Sequence, residues 1–294
     1  MGSDLARFLI EENLVKSLKI VDNFAYSSDP RRIESISSQV EVIKCDIRDL
    51  ESFGRSTIGA DLVFNFAAET HNDNSITRPL DFVSTNSVGV ASVLQAARKN
   101  EFHVHQISTD EVFGDLPLES SEPFNESSIL RPSSPYSASK ASAEMLLMGW
   151  SRTFDVKVTI SNSSNNYGDF QHQEKLIPTL ISRARQNLPL QLYGNGQNVR
   201  DWLHVRDHSM AVWIIATHSE SFARYCISAG QLYSNVQVAE MVNFAFGRGV
   251  DEIEFVADRP GHDLKYHSDP SRIIEELGWR PVGPSLERFI QSQV

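Results

Sequence analysis

The sequence predicts an α/β fold: a Rossmann-like doubly wound parallel sheet with a smaller C-terminal α/β substrate lobe. Three observations predict it. Short apolar runs alternate with helical stretches, the rhythm of parallel strands joined by crossover helices. Polar clusters follow directly on several strands, where open sheets of this kind bind ligands. The 294 residues, 22% charged and 40% hydrophobic, suit one large domain with a smaller lobe.

Each element follows in order. Residues 1–12 place Leu5, Phe8, Leu9 and Ile10 near one face and read as a helix. Residues 18–21 form a strand ending at Asp22, and residues 40–43 another, followed by Cys45, Asp46 and Ile47. Residues 62–66 form a strand that runs into Ala67, Ala68, Glu69, Thr70 and His71. Residues 82–99 are helical, and residues 104–107 are a buried strand. An apolar-patterned helix covers 136–150, with strands at 156–161 and 190–193. After about residue 165 the motifs sit in loops rather than regular units. The chain therefore divides into 1–165, a dinucleotide-binding domain, and 166–294, a substrate lobe with segments crossing back.

The chemistry is predicted between Ser108 and Lys140. Thr109, Asp110 and Glu111 lie just past a buried strand. Tyr136 and Lys140 are four apart and share a helix face. A free tyrosine has a pKa of about 10 and is a poor base near neutrality. An ammonium beside it favours the phenolate, so the pair can take a proton from a hydroxyl if something accepts the hydride. Alone, such a pair is most often a surface lysine and a half-buried ring. The Asp-Glu pair one helix earlier changes that balance. Asp22, at a strand end, sits where a Rossmann fold holds the adenosine ribose.

Composition excludes several classes. A net charge of −11 argues against a nucleic-acid surface, although a local basic pocket can still hold a nucleotide. Two cysteines, Cys45 and Cys226, make no disulfide framework and point to a reducing, cytoplasmic setting. The nine histidines show no zinc spacing, so no metal is expected. No apolar run approaches the roughly 20 residues of a membrane span. A glycine-rich strand–turn that would cradle a pyrophosphate is expected ahead of the first helix, and the sequence starts at Met1-Gly2-Ser3 instead. Gly2 reads as the last glycine of that turn or as part of a cloning scar. The chain reads as a fragment or as starting at an internal methionine, with its neighbouring strands left as open edges.

These motifs resemble the extended short-chain dehydrogenases, and more narrowly the dTDP-glucose 4,6-dehydratases. The resemblance rests on Ala67-Ala68-Glu69-Thr70-His71, Ser108-Thr109-Asp110-Glu111-Val112, Tyr136 with Lys140, and Ser164-Asn165-Asn166-Tyr167-Gly168. Glu174-Lys175-Leu176-Ile177-Pro178, Arg200-Asp201-Trp202-Leu203 and Asp258-Arg259-Pro260-Gly261-His262-Asp263 extend it over nearly the whole chain. It implies NAD as a tightly bound cofactor, dTDP-glucose as substrate and a homodimer. It implies that Tyr136, poised by Lys140, removes the C4 hydroxyl proton while hydride passes to NAD, with Thr109 bonding the C4 oxygen. Glu111 would then take the C5 proton and Asp110 would protonate the departing C6 hydroxyl, before hydride returns to C6. Two carboxyls in opposite roles must titrate differently, through burial or mutual repulsion.

The same resemblance implies the binding residues. For the cofactor they are Gly2, Asp22, Asn23, Phe24, Ala25, Asp46, Ile47, Phe66, Ala67, Ala68, Thr70, Thr85 and Asn166, together with Tyr136 and Lys140. For the substrate they are Thr70, Ser75, Thr109, Asn165, Lys175, Leu176, Gln191, Tyr193, Arg200, Asn235, Arg259, His262 and Tyr266, of which Lys175, Arg200, Arg259 and His262 would face the nucleotide diphosphate. Asn235, before a helical stretch, also reads as a plain helix cap. Asn72-Asp73-Asn74 departs from the Val-Asp-Arg usual in the family, and Phe113 replaces a more usual tyrosine. Two alternatives stay open: a 4,6-dehydratase of a UDP- or GDP-linked sugar, and a non-catalytic homologue acting as a binding subunit.

Overall fold

The structure, a computed structural model, describes residues 1–25 and 28–294. The chain runs α1 (Gly2–Glu11), β1 (Lys19–Asp22), β2 (Glu41–Lys44), α2 (Leu50–Ser56), β3 (Leu62–Asn65), α3 (Asn72–Thr77), α4 (Pro79–Val83), α5 (Val90–Asn100) and β4 (His103–Thr109). It continues through α6 (Pro135–Phe154), β5 (Val158–Ser163), β6 (Asn165–Tyr167), α7 (Leu176–Arg185), β7 (Leu190–Tyr193), β8 (Val199–His204), α8 (Val205–His218) and β9 (Ala223–Ile227). Last come β10 (Leu232–Ser234), α9 (Asn235–Ala245), β11 (Ile253–Val256), α10 (Ser271–Leu277) and α11 (Leu286–Gln291).

Strands β3, β4, β5 and β9 form a parallel sheet in that spatial order. Every residue of β4 and β5 is buried, as strands covered on both faces require. One face carries Val93, Leu94, Val104, Leu147 and Val158 beneath α5 and α6. The other carries Leu9, Ile107, Val212, Ile215 and Ile273 beneath α1, α8 and α10. The predicted doubly wound sheet is therefore present. Strands β1 and β2 pair in parallel with each other, and no backbone pairing joins β1 to β3 among the described residues.

The residues after 165 fall in two places. Strands β6, β8 and β10 make one small sheet, and β7 and β11 another, over a core that includes Leu180, Leu190, Trp202, Val238 and Leu286. Helix α8, β9 and α10 return to the large sheet.

Local chemistry sets the elements that matter for the site. Ser134 caps α6 in a reciprocal box with Ser137, and Pro135 fills the first helical position, where a missing N–H costs nothing. The helix predicted over 82–99 comes in three parts: α4, a π-helical turn at Ser84–Gly89, and α5. The wide turn points Asn86 inward. Its amide donates to the Glu69 carbonyl and to Ser139 Oγ, both at 2.9 Å, and its Oδ1 accepts the Glu69 N–H at 2.8 Å. Apolar periodicity carries no mark of such a turn, which is why it went unpredicted. No described helix is long and apolar enough to cross a membrane.

Candidate active site

Strand β4 runs two residues further than its apolar run, so Ser108 and Thr109 are strand residues. Thr109 stays extended and accepts the Glu111 N–H at 3.4 Å, which starts a short 3-10 turn over Asp110–Phe113. Val112 and Phe113, both buried, pin that turn into the core. Gly114 closes it at a φ of 91°, where any Cβ would collide with the Arg131 carbonyl. The turn presents two adjacent carboxyls in different surroundings. Asp110 is 1% exposed; burial, reinforced by the charge of Glu111, pushes its carboxyl well above the usual range. Its Oδ2 is buried with no hydrogen-bond partner. Glu111 is partly exposed and accepts from Asn72 Nδ2 at 2.9 Å.

Helix α6 brings Tyr136 and Lys140 alongside. Tyr136 is buried edge-on against Phe82, with ring centroids 6.1 Å apart. Its hydroxyl titrates above its ordinary value, first because of burial and then because of Glu111; Thr109 is the neighbour that lowers it. The sequence-based expectation that Lys140 depresses Tyr136 is not met in this geometry. Lys140 Nζ instead donates to the Ile107 carbonyl at 2.6 Å. Burial brings the Lys140 ammonium down to about 8, and Glu144 opposes that fall.

Glu144, one turn further along α6, was not anticipated. It is completely buried and gathers three strands around its carboxylate. Oε1 accepts from Ser108 Oγ at 2.5 Å and from Asn162 Nδ2 at 2.7 Å, and Oε2 faces an Arg224 nitrogen of β9 at 2.7 Å. Asn162 also donates to the Thr109 carbonyl at 3.1 Å. A buried carboxylate four residues after a lysine on an apolar face is the signal that would have found it.

The cofactor candidates lie at the C-terminal ends of the parallel strands. Asp22, ending β1, accepts the Phe24 N–H at 2.7 Å; Phe24 itself adopts a left-handed backbone. Asn23 donates to Asp46 at 3.2 Å, which joins the ends of β1 and β2, and Ala25 follows in the same turn. Arg48 holds the Asp46 carboxyl below its usual range through a contact at 2.6 Å. The Ile47 side chain turns into the core. A Cβ on Gly2 would lie 3.3 Å from the Phe66 ring, so glycine lets α1 start against the end of β3. Ala67, Ala68 and Thr70 follow β3, Thr85 lies in the π turn, and Asn166 keeps a buried, unpartnered Oδ1. Acidic groups at one strand edge, small residues after β3 and the orphaned Asn166 Oδ1 fit a dinucleotide.

The substrate candidates form a basic wall despite the acidic chain. Lys175 stands just before α7 and donates to the Thr70 carbonyl at 3.3 Å; burial lowers its ammonium. Arg259 meets Asp73 at 3.1 Å, and Tyr193 donates to the same Asp73 at 3.2 Å. His262 lies 2.7 Å from Asp258, edge-on to Tyr193. Arg200 is buried, stacked 4.3 Å from the Tyr266 ring centroid, and spends its N–H groups on the carbonyls of Val199, Asp263 and Leu264. Asp263 accepts from Tyr266 and, at 2.5 Å, from Ser133, tying this wall to the start of α6.

The remaining candidates stand apart. Ser75 is fully buried and donates to the Asn72 carbonyl within α3. Leu176 packs on the lobe core, and Gln191 pairs with Glu254 at 2.9 Å. Asn165 pairs with Trp202 in the small sheet. Ser234, not Asn235, caps α9, so the capping role expected of Asn235 falls to its neighbour.

The family model described as GDP-mannose 4,6 dehydratase matches residues 1–291. A dTDP-glucose 4,6-dehydratase of Mycolicibacterium smegmatis is 40% identical over 98% of this chain and 87% of its own length. One from Haemophilus influenzae is 39% identical over 96% of this chain and 90% of its own. The crystal structure of a dTDP-glucose 4,6-dehydratase from Streptomyces venezuelae, with NAD bound, superposes with a TM-score of 0.95 at 33% identity, covering 99% of this chain and 92% of that one. The chain belongs to the dTDP-glucose 4,6-dehydratase family.

Proposed function

We propose that this protein dehydrates dTDP-glucose to dTDP-4-keto-6-deoxyglucose with NAD as a retained cofactor. The observation that carries the reading is the pairing of Asp110, buried and with its carboxyl raised by burial and by Glu111, with the more exposed Glu111 beside Tyr136. Bound NAD supplies reversible oxidation and reduction of the sugar. Everything else falls to the chain. Thr109 and Tyr136 face the C4 hydroxyl, and Tyr136 takes its proton. Burial makes that phenol reluctant, so a cation must approach it. Lys140, one turn away, supplies the cation when its ammonium leaves the Ile107 carbonyl. Glu111 removes the C5 proton, which the neighbouring ketone acidifies. Asp110 enters the step with a proton and gives it to the C6 hydroxyl, which departs as water.

Asp22, Asn23 and Asp46 receive the adenosine end of the cofactor. Lys175, Arg259 and His262 face the diphosphate, where an arginine fork suits phosphate oxygens; Arg200 joins them only by giving up its bonds to the Val199, Asp263 and Leu264 carbonyls. The test is product formation from dTDP-glucose, UDP-glucose and GDP-mannose in parallel, with added NAD. A 4-keto product from dTDP-glucose alone supports the reading. Turnover of only another sugar nucleotide, or NAD binding without turnover, would overturn it.

We also propose a homodimer through α4, α5 and α6. Leu80 and Val83 of α4, Val88 of the π turn and Met145 of α6 are exposed, at 78%, 46%, 56% and 46%. Their elements pack against one another, and these exposed apolar side chains suit the matching face of a second copy. Leu80→Asp with Val88→Asp should halve the mass seen by light scattering. The two free, buried cysteines support a reducing cytoplasmic setting.

A further inference from the structure

Asn72 stands at the first turn of α3, with its side chain between two parts of the site. Its Nδ2 donates to Glu111 Oε2 at 2.9 Å, and its Oδ1 accepts from Ser134 Oγ at 3.0 Å. Ser134 is the cap of α6, the helix that carries Tyr136 and Lys140. An amide with both ends engaged has a fixed plane, since rotating it would break both bonds. One oxygen of Glu111 is thereby fastened, and the other is left to act. The chain from Ser134 through Asn72 to Glu111 fixes how far the Glu111 carboxylate stands from the start of α6.

We propose that Asn72 is a positioning residue that aims the Glu111 carboxylate for removal of the C5 proton. The inference rests on the dehydratase reading above. In that step the C5–H electron pair moves into the enolate of the 4-keto group, and the proton passes to the free Glu111 oxygen. A carboxylate released from Asn72 can rotate about its terminal bonds and spends less time in line with that proton. Asp73, the next residue of α3, does not substitute. Asp73 is held by Arg259 and Tyr193.

The experiment compares Asn72→Leu, which keeps the volume without the N–H, with Asn72→Ala. Each is assayed with dTDP-glucose and with dTDP-glucose deuterated at C5. Both variants should lose about tenfold in kcat with KM nearly unchanged. The C5 isotope effect on kcat should rise, because proton removal becomes the slow step. A purely structural loss would lower the active fraction and leave the isotope effect where it was. Wild-type kcat in Asn72→Leu, or an unchanged isotope effect in both variants, overturns the proposal. If Asn72→Leu fails to fold by circular dichroism, Asn72→Ala carries the test alone with the same outcomes. Absence of 4-keto product from the unmodified protein would instead reject the dehydratase reading.

Discussion

Glu144 and Arg224 meet at 2.7 Å, and the Glu144 side chain has no exposed surface at all. The pair fastens α6 to β9, while the other Glu144 oxygen holds β4 and β5. Removing only one partner leaves a buried charge alone. Arg224→Ala should therefore cost ~3–5 kcal/mol of unfolding free energy. Replacing both residues with leucine should cost less than the sum of the single changes, because no charge is stranded. Urea titration of the three variants checks this.

Asp110 should behave in opposite ways in stability and in activity. Burial holds it protonated in the fold at pH values where the unfolded chain has released the proton. That difference disfavours the folded state at neutral pH. Asp110→Asn keeps the shape and removes the ionisation, so its denaturation midpoint at pH 7 should rise. Its turnover should fall by a factor on the order of 10²–10⁴, since asparagine has no proton to give. A variant losing both stability and activity would count against a protonated Asp110.

Lys140 sets an alkaline limit. Its ammonium titrates at about 8, so it is lost as pH rises through that value. The profile of kcat/KM should fall above about pH 8 in step with that loss. Glu144 is the group that raises Lys140, and Asp110, Glu111, Tyr136 and Arg224 are the other charged or titratable groups on the turn, helix and strand around them. Glu144→Gln should move the alkaline limb to lower pH.

Acid should destabilise the fold in a defined window. His103 is brought down to about 4 by burial, and His208 to about 3. Both stay neutral in the fold while the unfolded chain protonates near pH 6.5. Their stabilising contribution is full above that pH and is lost as pH falls from 6.5 towards 4 and then 3. Each adds a slope of about 1.4 kcal/mol per pH unit across its window. Replacing His208, whose ring nitrogens have no partners, with leucine should flatten that slope in urea midpoints measured against pH.

Much of the fold was legible because it is local. The apolar runs ending at Asp22 and before Thr109 are strands, and the pattern from Tyr136 is a helix. Thr109, Asp110 and Glu111 stand beside Tyr136, and Lys140 follows one turn further along α6. Partners distant in sequence were not legible. Arg224 lies 80 residues from Glu144, and nothing near either residue names the other. Helix geometry predicts that Lys140 acts on Tyr136, yet the Ile107 carbonyl from the neighbouring strand competes for the ammonium. Asn72 read only as a departure from a motif; its bonds to Glu111 and Ser134 exist only once α3, α6 and the 3-10 turn are packed.

The widened turn at Ser84–Gly89 has two sides. Its inner side, through Asn86, grips both backbone groups of Glu69, in the stretch that leaves β3 for the cofactor end of the site. Its outer side carries Val88 into solvent. The six residues of this turn thus join the clamp of Asn86 to the outer surface at Val88. The segment works as a shared wall: what leans on it from outside and what is held against it from inside share one mechanical support.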